Sequence, residues 1–303
     1  MSKIELASIY QMPKSDAKSR LNTVLGSGLN KVLGEKAKQD VTLPLWRPEF
    51  FNLHQSSVFK KANAEEQHKI VQSSSRALLE EALFIEQYGM AFAAKMSLLA
   101  QTVEERMLYG LFAADETAHY FQISQYLPNQ GQDAQPSDFH RLLSNLIEEG
   151  DRHSLVFIIQ VVLEGWGLTH YRTLAQGVQS EDFAAVLKGI VRDEARHHGS
   201  GVVLCRERPL PEASRKYIES VLSTFLSMVQ NGPQAVISAV DKHTGGLNRT
   251  EKIQLFKELD GQAKSQQRLN ILKSLMGEDG FGAIVEHLES KGLYRALRPE
   301  DCL

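Results

Sequence analysis

Two segments of the chain, "AADETAHYF" from Ala113 and "VRDEARHHG" from Val191, each contain Asp-Glu-x-x-His. Residues three apart lie on one face of a helix, so Glu116 with His119, and Glu194 with His197, can each grip a single object. A buried carboxylate beside a buried imidazole is costly without a compensating partner, and a cation is the simplest compensation. A carboxylate also precedes each pair at a fixed distance. "IEQYGM" at Ile85 matches "LEGWGL" at Leu163, and Glu86 and Glu164 stand thirty residues before Glu116 and Glu194 respectively. Glu80 and Glu81 compete with Glu86 for this role, but Glu86 lies in the apolar run "LFIEQYGMAF" and alone reproduces the spacing of the second half.

The spacing dictates the elements that must position these groups. A polar turn, "QTVEE" or "QSED", falls midway in each thirty-residue interval. About fifteen residues out and fifteen back on antiparallel helices return the chain to its starting level, at about 1.5 Å of rise per residue. Glu86 therefore faces Glu116 and His119 across one hairpin, and Glu164 faces Glu194 and His197 across the other. Packing the two hairpins together gathers four carboxylates and two imidazoles. Their charge of about −4 balances two divalent cations. Oxygen-rich ligation with one His per ion suits iron, with manganese or a mixed Mn/Fe pair as alternatives, and differs from the closed Cys/His sites of structural zinc.

The pattern along the chain agrees with an all-α fold. Residues 1–62 read as an extended, irregular segment packed on a larger body, with prolines and aromatics in "TLPLWRPEFFNLHQ". Residues 63–206 read as the helical core. Asn63 with Glu66, and Thr102 with Glu105, form capping-box starts. Helices are predicted from Asn63 to about Ala100, from Thr102 to about Tyr126, from Phe139 to about Ala175 with a break at Gly150, and on to about Cys205. "LPNQGQDAQPSD" reads as the clearest loop. Residues 207–303 read as three or four further helices, punctuated by "QNGPQ", "HTGGLN" and "GEDGFG", that cap the core, form a dimer face or cover a substrate entrance.

Composition narrows the function classes. A hydrophobic content of 42% supplies a sizeable core, and a formal net charge of −3 argues against generic nucleic-acid binding. No apolar run reaches membrane-spanning length, and "MSKIELASIYQMPKSDAKSR" lacks the apolar stretch of a secretory signal. Cys205 and Cys302 form no close-spaced metal motif, and a reduced, cytoplasmic setting is the simpler expectation.

On these residues the chain resembles the ferritin-like di-iron carboxylate superfamily, in which two helices each supply one Glu and two others each supply Glu-x-x-His. "DEARH" is similar to the iron-binding motif of the bacterial multicomponent monooxygenases. The resemblance implies a ferritin-like four-helix bundle of two pseudo-repeated hairpins, with Glu86, Glu116, His119, Glu164, Glu194 and His197 holding two irons. It also implies that Asp115 and Asp193 hydrogen-bond metal-bound histidines of the opposite half. Gly89, Gly167 and Ala113, each one turn from a ligand Glu, would leave room for a substrate or allow close helix packing, with Tyr88 and Trp166 beside them. His170 and His198 could be extra ligands but have no counterpart in the other half, and read as ordinary polar residues or as supports behind the ligands.

The function expected is an oxidase or oxygenase that activates O₂ against a small organic substrate, drawing electrons from a ferredoxin or reductase, in a chain that could form a homodimer. "WRPEFF" ahead of the first core helix resembles the arylamine N-oxygenases, whose additional His is replaced here by Ile190. Aldehyde deformylation and fatty-acid desaturation use the same six ligands. The alternatives are a ferroxidase or iron-storage protein, and a radical generator or Mn/Fe oxidase like the ribonucleotide reductase small subunit. Ile123 stands where that family carries its radical Tyr.

Overall fold

The computed structural model describes residues 15–16, 18–33, 41, 43–127, 137–207, 210–277 and 281–303. Among these residues the secondary structure is helical apart from a single antiparallel bridge, Trp46 to Val178. Most of the predicted loop "LPNQGQDAQPSD" lies outside the described residues, as do the centres of "RERPLPEA" and "GEDGFG". No described helix is long and apolar enough to cross a membrane.

Contacts divide the chain into two units. One comprises residues 1–41 and 81–149, the other residues 42–80 and 150–303. The long helix α3 (Ala64–Leu99) contributes its first part to the second unit and the rest to the first. Its start is the capping box read from the sequence: Glu66 N donates to Asn63 Oδ1 at 3.0 Å and Asn63 N donates to Glu66 Oε2 at 2.9 Å.

In the first unit, α3 turns at residues 100–102 into α4 (Val103–Ser124), and α5 (Asp138–Glu149) follows. Thr102 caps α4 by accepting from Glu105 N at 3.1 Å, while the Glu105 carboxylate takes the N–H of Gln101 rather than that of Thr102. The capping box there is therefore shifted by one residue on its return arm. Lys95 Nζ ties α3 to the end of α5 through the carbonyls of Ile147 and Glu148. The N-terminal segment corrects its predicted irregularity here: α1 (Arg20–Leu33) is a regular helix. Its two glycines, Gly26 and Gly28, hide it from a composition-based reading, yet its leucines and valines keep helical spacing.

In the second unit the break at Gly150 is present, and Asp151 caps the next helix by accepting from His153 N and Ser154 N. That helix has three parts: α6 (Arg152–Leu155), a π-helical stretch (Val156–Leu163) and α7 (Glu164–Gly177). After a turn at residues 178–180, α8 (Glu181–Arg206) returns alongside, with Ser180 as its cap. The extended segment around Trp46 packs on the end of α7. Trp46 is fully buried and its Nε1 donates to Leu174 O at 3.1 Å, while Gln179 N donates to Leu45 O.

Among the described residues five helices rather than three or four follow: α9 (Glu212–Gln230), α10 (Gln234–His243), α11 (Arg249–Glu258), α12 (Gly261–Met276) and α13 (Gly282–Ser290). The extra break separates α11 from α12 at Asp260, a left-handed residue with φ of 57°. No Pro or paired Gly announces it. Within this unit α12 packs against α7, the π-helical stretch and α9.

Candidate metal centre

Each unit holds one hairpin with the same register. Glu86 stands thirteen residues before the end of α3 and Glu116 thirteen residues after the start of α4; Glu164 and Glu194 occupy the same places on α7 and α8. The hairpins differ in their turns and flanks but not in this count, which is why each carboxylate meets its Glu-x-x-His pair at one level.

In the first hairpin Glu86 is wholly buried, and Glu116 and His119 are nearly so. His119 Nδ1 shares a hydrogen bond with Glu86 Oε2 at 3.0 Å and lies 4.0 Å from Glu116 Oε2. Glu80 instead lies at the half-buried surface beside Arg76, and Glu81 is half-buried as well. Of the three competing carboxylates, Glu86 is the one brought to the pair. Gly89 has a definite reason: a Cβ there would fall inside the Glu116 carboxylate. The room left by Gly89 is filled by the proposed ligand itself. Ala113 is partly buried one turn before Glu116, and Tyr88 packs toward α5, its ring 6.2 Å from that of His140.

The second hairpin repeats the arrangement. His197 is fully buried, with Nδ1 3.4 Å from Glu194 Oε2 and 3.9 Å from Glu164 Oε2. Glu164 is the most open of the six, its side chain 13% exposed. A Cβ on Gly167 would meet nothing within 4 Å, so the two equivalent glycines do different things. Trp166 lies against Phe225 and His170, with ring centroids 5.8 and 5.9 Å away. Asp115 and Asp193 are both half-buried, and Asp193 pairs with Arg196 at 2.7 Å.

Glu164 is the first α-helical residue after the π-helical stretch. Runs of i→i+5 bonding are rare and concentrate at functional sites, since they widen the helix and re-aim the side chains beyond. The sequence gives no warning of it: "VFIIQVVL" is apolar on every face and carries no periodicity to read. Its polar residue, Gln160, is wholly buried and donates to His197 O and Ser200 Oγ, both at 3.3 Å. His198 Nδ1 donates to Val161 O at 3.0 Å, satisfying a carbonyl of the same stretch. His198 therefore braces the backbone leading to Glu164, a role that its sequence position alone did not reveal. Gly165 leaves the room for it, because a Cβ there would press on His198 Nδ1 and Leu275.

The donor set fits a metal ion. In each hairpin the three candidate groups offer ligand atoms within 4.8 Å of one another. Two carboxylates and a neutral imidazole leave each triad about −2, the charge one divalent ion neutralises. Without a cation, each hairpin would bury two like charges at close range. Residues 66–202 match the ferritin-like domain family. The chain carries a ferritin-like domain. The match begins in the first turn of α3 and ends four residues before the end of α8, so it takes in both hairpins and all six candidate ligands. The described residues around this domain keep its all-α architecture, with additional helices on the C-terminal side. No curated protein matches the chain.

Proposed function

We propose that the two triads hold two iron ions, and that the protein is an oxidase or oxygenase that activates O₂ to oxidise a small organic molecule. The observation that carries the proposal is the pair of equivalent buried triads, Glu86/Glu116/His119 and Glu164/Glu194/His197, each held at one level of its own hairpin. Manganese or a mixed Mn/Fe pair suits the same donors. When bound, such a pair supplies two electrons to O₂ and is re-reduced by an external donor such as a ferredoxin or reductase.

The chain's own residues supply the rest. The four carboxylates would hold the two ions together with His119 and His197. Gln160 and His198 fix the backbone that presents Glu164, and Gly89 leaves the Glu116 carboxylate its place. The buried surroundings of the first triad exclude water, whereas Glu164 and the open flank at Gly167 favour substrate approach from α7. A buried Ile123 in place of a phenol argues against the radical-generating alternative. A homodimer and a cytoplasmic setting remain part of the proposal.

The test is oxidation stoichiometry. Metal-free protein is loaded with excess ferrous iron, O₂ is admitted, and the irons oxidised and retained per chain are counted. A halt at two, with no mineral formed, is the expected result. Continued oxidation to tens of irons per chain would establish a ferroxidase and overturn the proposal.

A further inference from the structure

We propose that α1 and the first half of α4 form the face through which two copies of this chain associate, the apolar stripe of α1 in each copy lying on that of α4 in the other. This locates the homodimer of the reading above and rests on no part of the metal assignment.

Large apolar side chains exposed to solvent are ordinary when scattered and informative when gathered. Among the described residues ten are exposed, and all but Val203 lie in one region of the first unit. Leu21, Val24, Leu25 and Val32 stand on α1, at intervals that keep them within a stripe about 100° wide. Val103, Met107 and Leu111 make a similar stripe on α4, and Leu98 and Leu99 adjoin its start at the end of α3. The helices α1 and α4 pack on each other, yet α1 buries only Leu29. Both stripes are therefore left uncovered within one copy.

The amount of surface points to a second copy. These side chains are 36% to 83% exposed. At about 100 Å² each they offer roughly 900 Å² per copy, against about 800 Å² per partner in a stable interface. Each stripe also holds an exposed glycine, Gly28 and Gly110, where a Cβ would meet nothing within 4 Å. Glycine is disfavoured inside a helix, and no neighbour in the chain accounts for either one; a second helix in close approach does. The borders differ in sign. Arg20 and Lys31 edge the α1 stripe, and α1 contains no acidic residue. Glu104 edges the α4 stripe, while Arg106 on its other side turns back to Ser97 O at 3.2 Å. With the two helices parallel, Arg20 of one copy comes beside Glu104 of the other. Anionic lipid, the other partner for a basic amphipathic helix, would set Glu104 against charge of its own sign.

Sedimentation velocity of the full iron-loaded chain over a dilution series measures the association, with helix content and iron per chain followed in every sample. Gly110→Leu is the sharpest variant. It enlarges the apolar surface and favours the helix, so association through apolar surface in general would strengthen, whereas a close-packed pair would weaken. The expected result is a dimer for the parent, at least ten-fold weaker dimerisation for Gly110→Leu with helix content kept, and an unchanged dimer for Val203→Lys. Arg20→Glu and Glu104→Arg should each weaken the dimer at least three-fold, and the double variant should restore it. A monomeric parent, a dimer indifferent to Gly110→Leu or strengthened by it, or no rescue in the double variant would each overturn the proposal. So would a monomer that co-sediments with vesicles of phosphatidylcholine and phosphatidylglycerol, which would make the face a membrane contact. A dimer of the expected pattern that holds no iron would sink the di-iron reading alone, and a monomer with two irons per chain would sink this one alone.

Discussion

The Glu116 carboxylate occupies the place where a Cβ of Gly89 would stand. A glycine inside a long helix ordinarily costs about 1 kcal/mol relative to alanine, so here the space outweighs the propensity. Gly89→Ala is expected to keep the fold but to push Glu116 out of line with His119, weakening metal retention ten- to hundred-fold, the range seen when a ligand's support is removed. Gly167→Ala, which meets no neighbour, should leave metal retention unchanged. Metal counts after dialysis against a weak chelator compare the two, and equal losses would refute the distinction.

Glu86 and Glu81 separate in the same assay. Removing the wholly buried Glu86 strips His119 of its 3.0 Å partner, whereas Glu81 lies at the half-buried flank. Glu86→Ala is expected to lose metal from the first triad, and Glu81→Ala to keep the parent content. The reverse outcome would move the ligand assignment by more than one helical turn.

Gly201 on α8 packs against the π-helical stretch so closely that a Cβ would lie 2.5 Å from Gln160 Cβ and 3.1 Å from its carbonyl carbon. Gly201→Ala should therefore cost about 1–3 kcal/mol through overpacking, read as a lower urea midpoint. Because backbone is involved, repacking of one side chain cannot absorb it. An unchanged midpoint would mean that the stretch is looser than described.

Burial pushes His140 down to about 4 from an ordinary value near 6.5. A depressed histidine is neutral in the fold but takes up a proton more readily when unfolded. Its contribution is thus fully present above about pH 6.5 and is lost as the pH falls toward 4, by at most about 1.4 kcal/mol per pH unit. His140→Gln retains an acceptor for Ser137 N, which now donates to His140 Nδ1. The difference in stability between parent and variant should shift in the variant's favour between pH 6.5 and 4.5. A pH-independent difference would show that His140 does not titrate in this way.

Much of the site was legible because the chain states it twice. A thirty-residue interval with a polar turn at its centre specifies a hairpin, and both hairpins place the carboxylate and its pair thirteen residues from the turn-side helix ends. Capping residues set the helix starts to within a residue or two. What stayed hidden lacked a repeat or a breaker. The π-helical stretch is uniformly apolar, α1 carries two glycines, and the Asp260 kink depends on one left-handed residue rather than on a turn sequence. The bracing by His198 depends on carbonyls that only a non-α backbone turns outward, so no residue pattern could announce it.

The hydrogen between His119 and Glu86 has a consequence for how the protein is filled. Nδ1 is the nitrogen that faces the carboxylates, and it cannot share that hydrogen with Glu86 and bind a cation together. Metal entry at the first triad would therefore require this hydrogen to move to the other ring nitrogen or to leave. If the hydrogen leaves, uptake acidifies a weakly buffered solution and slows as acid accumulates; if it moves to the other ring nitrogen, the pH holds, so the pH trace tells which of the two opens the first hairpin.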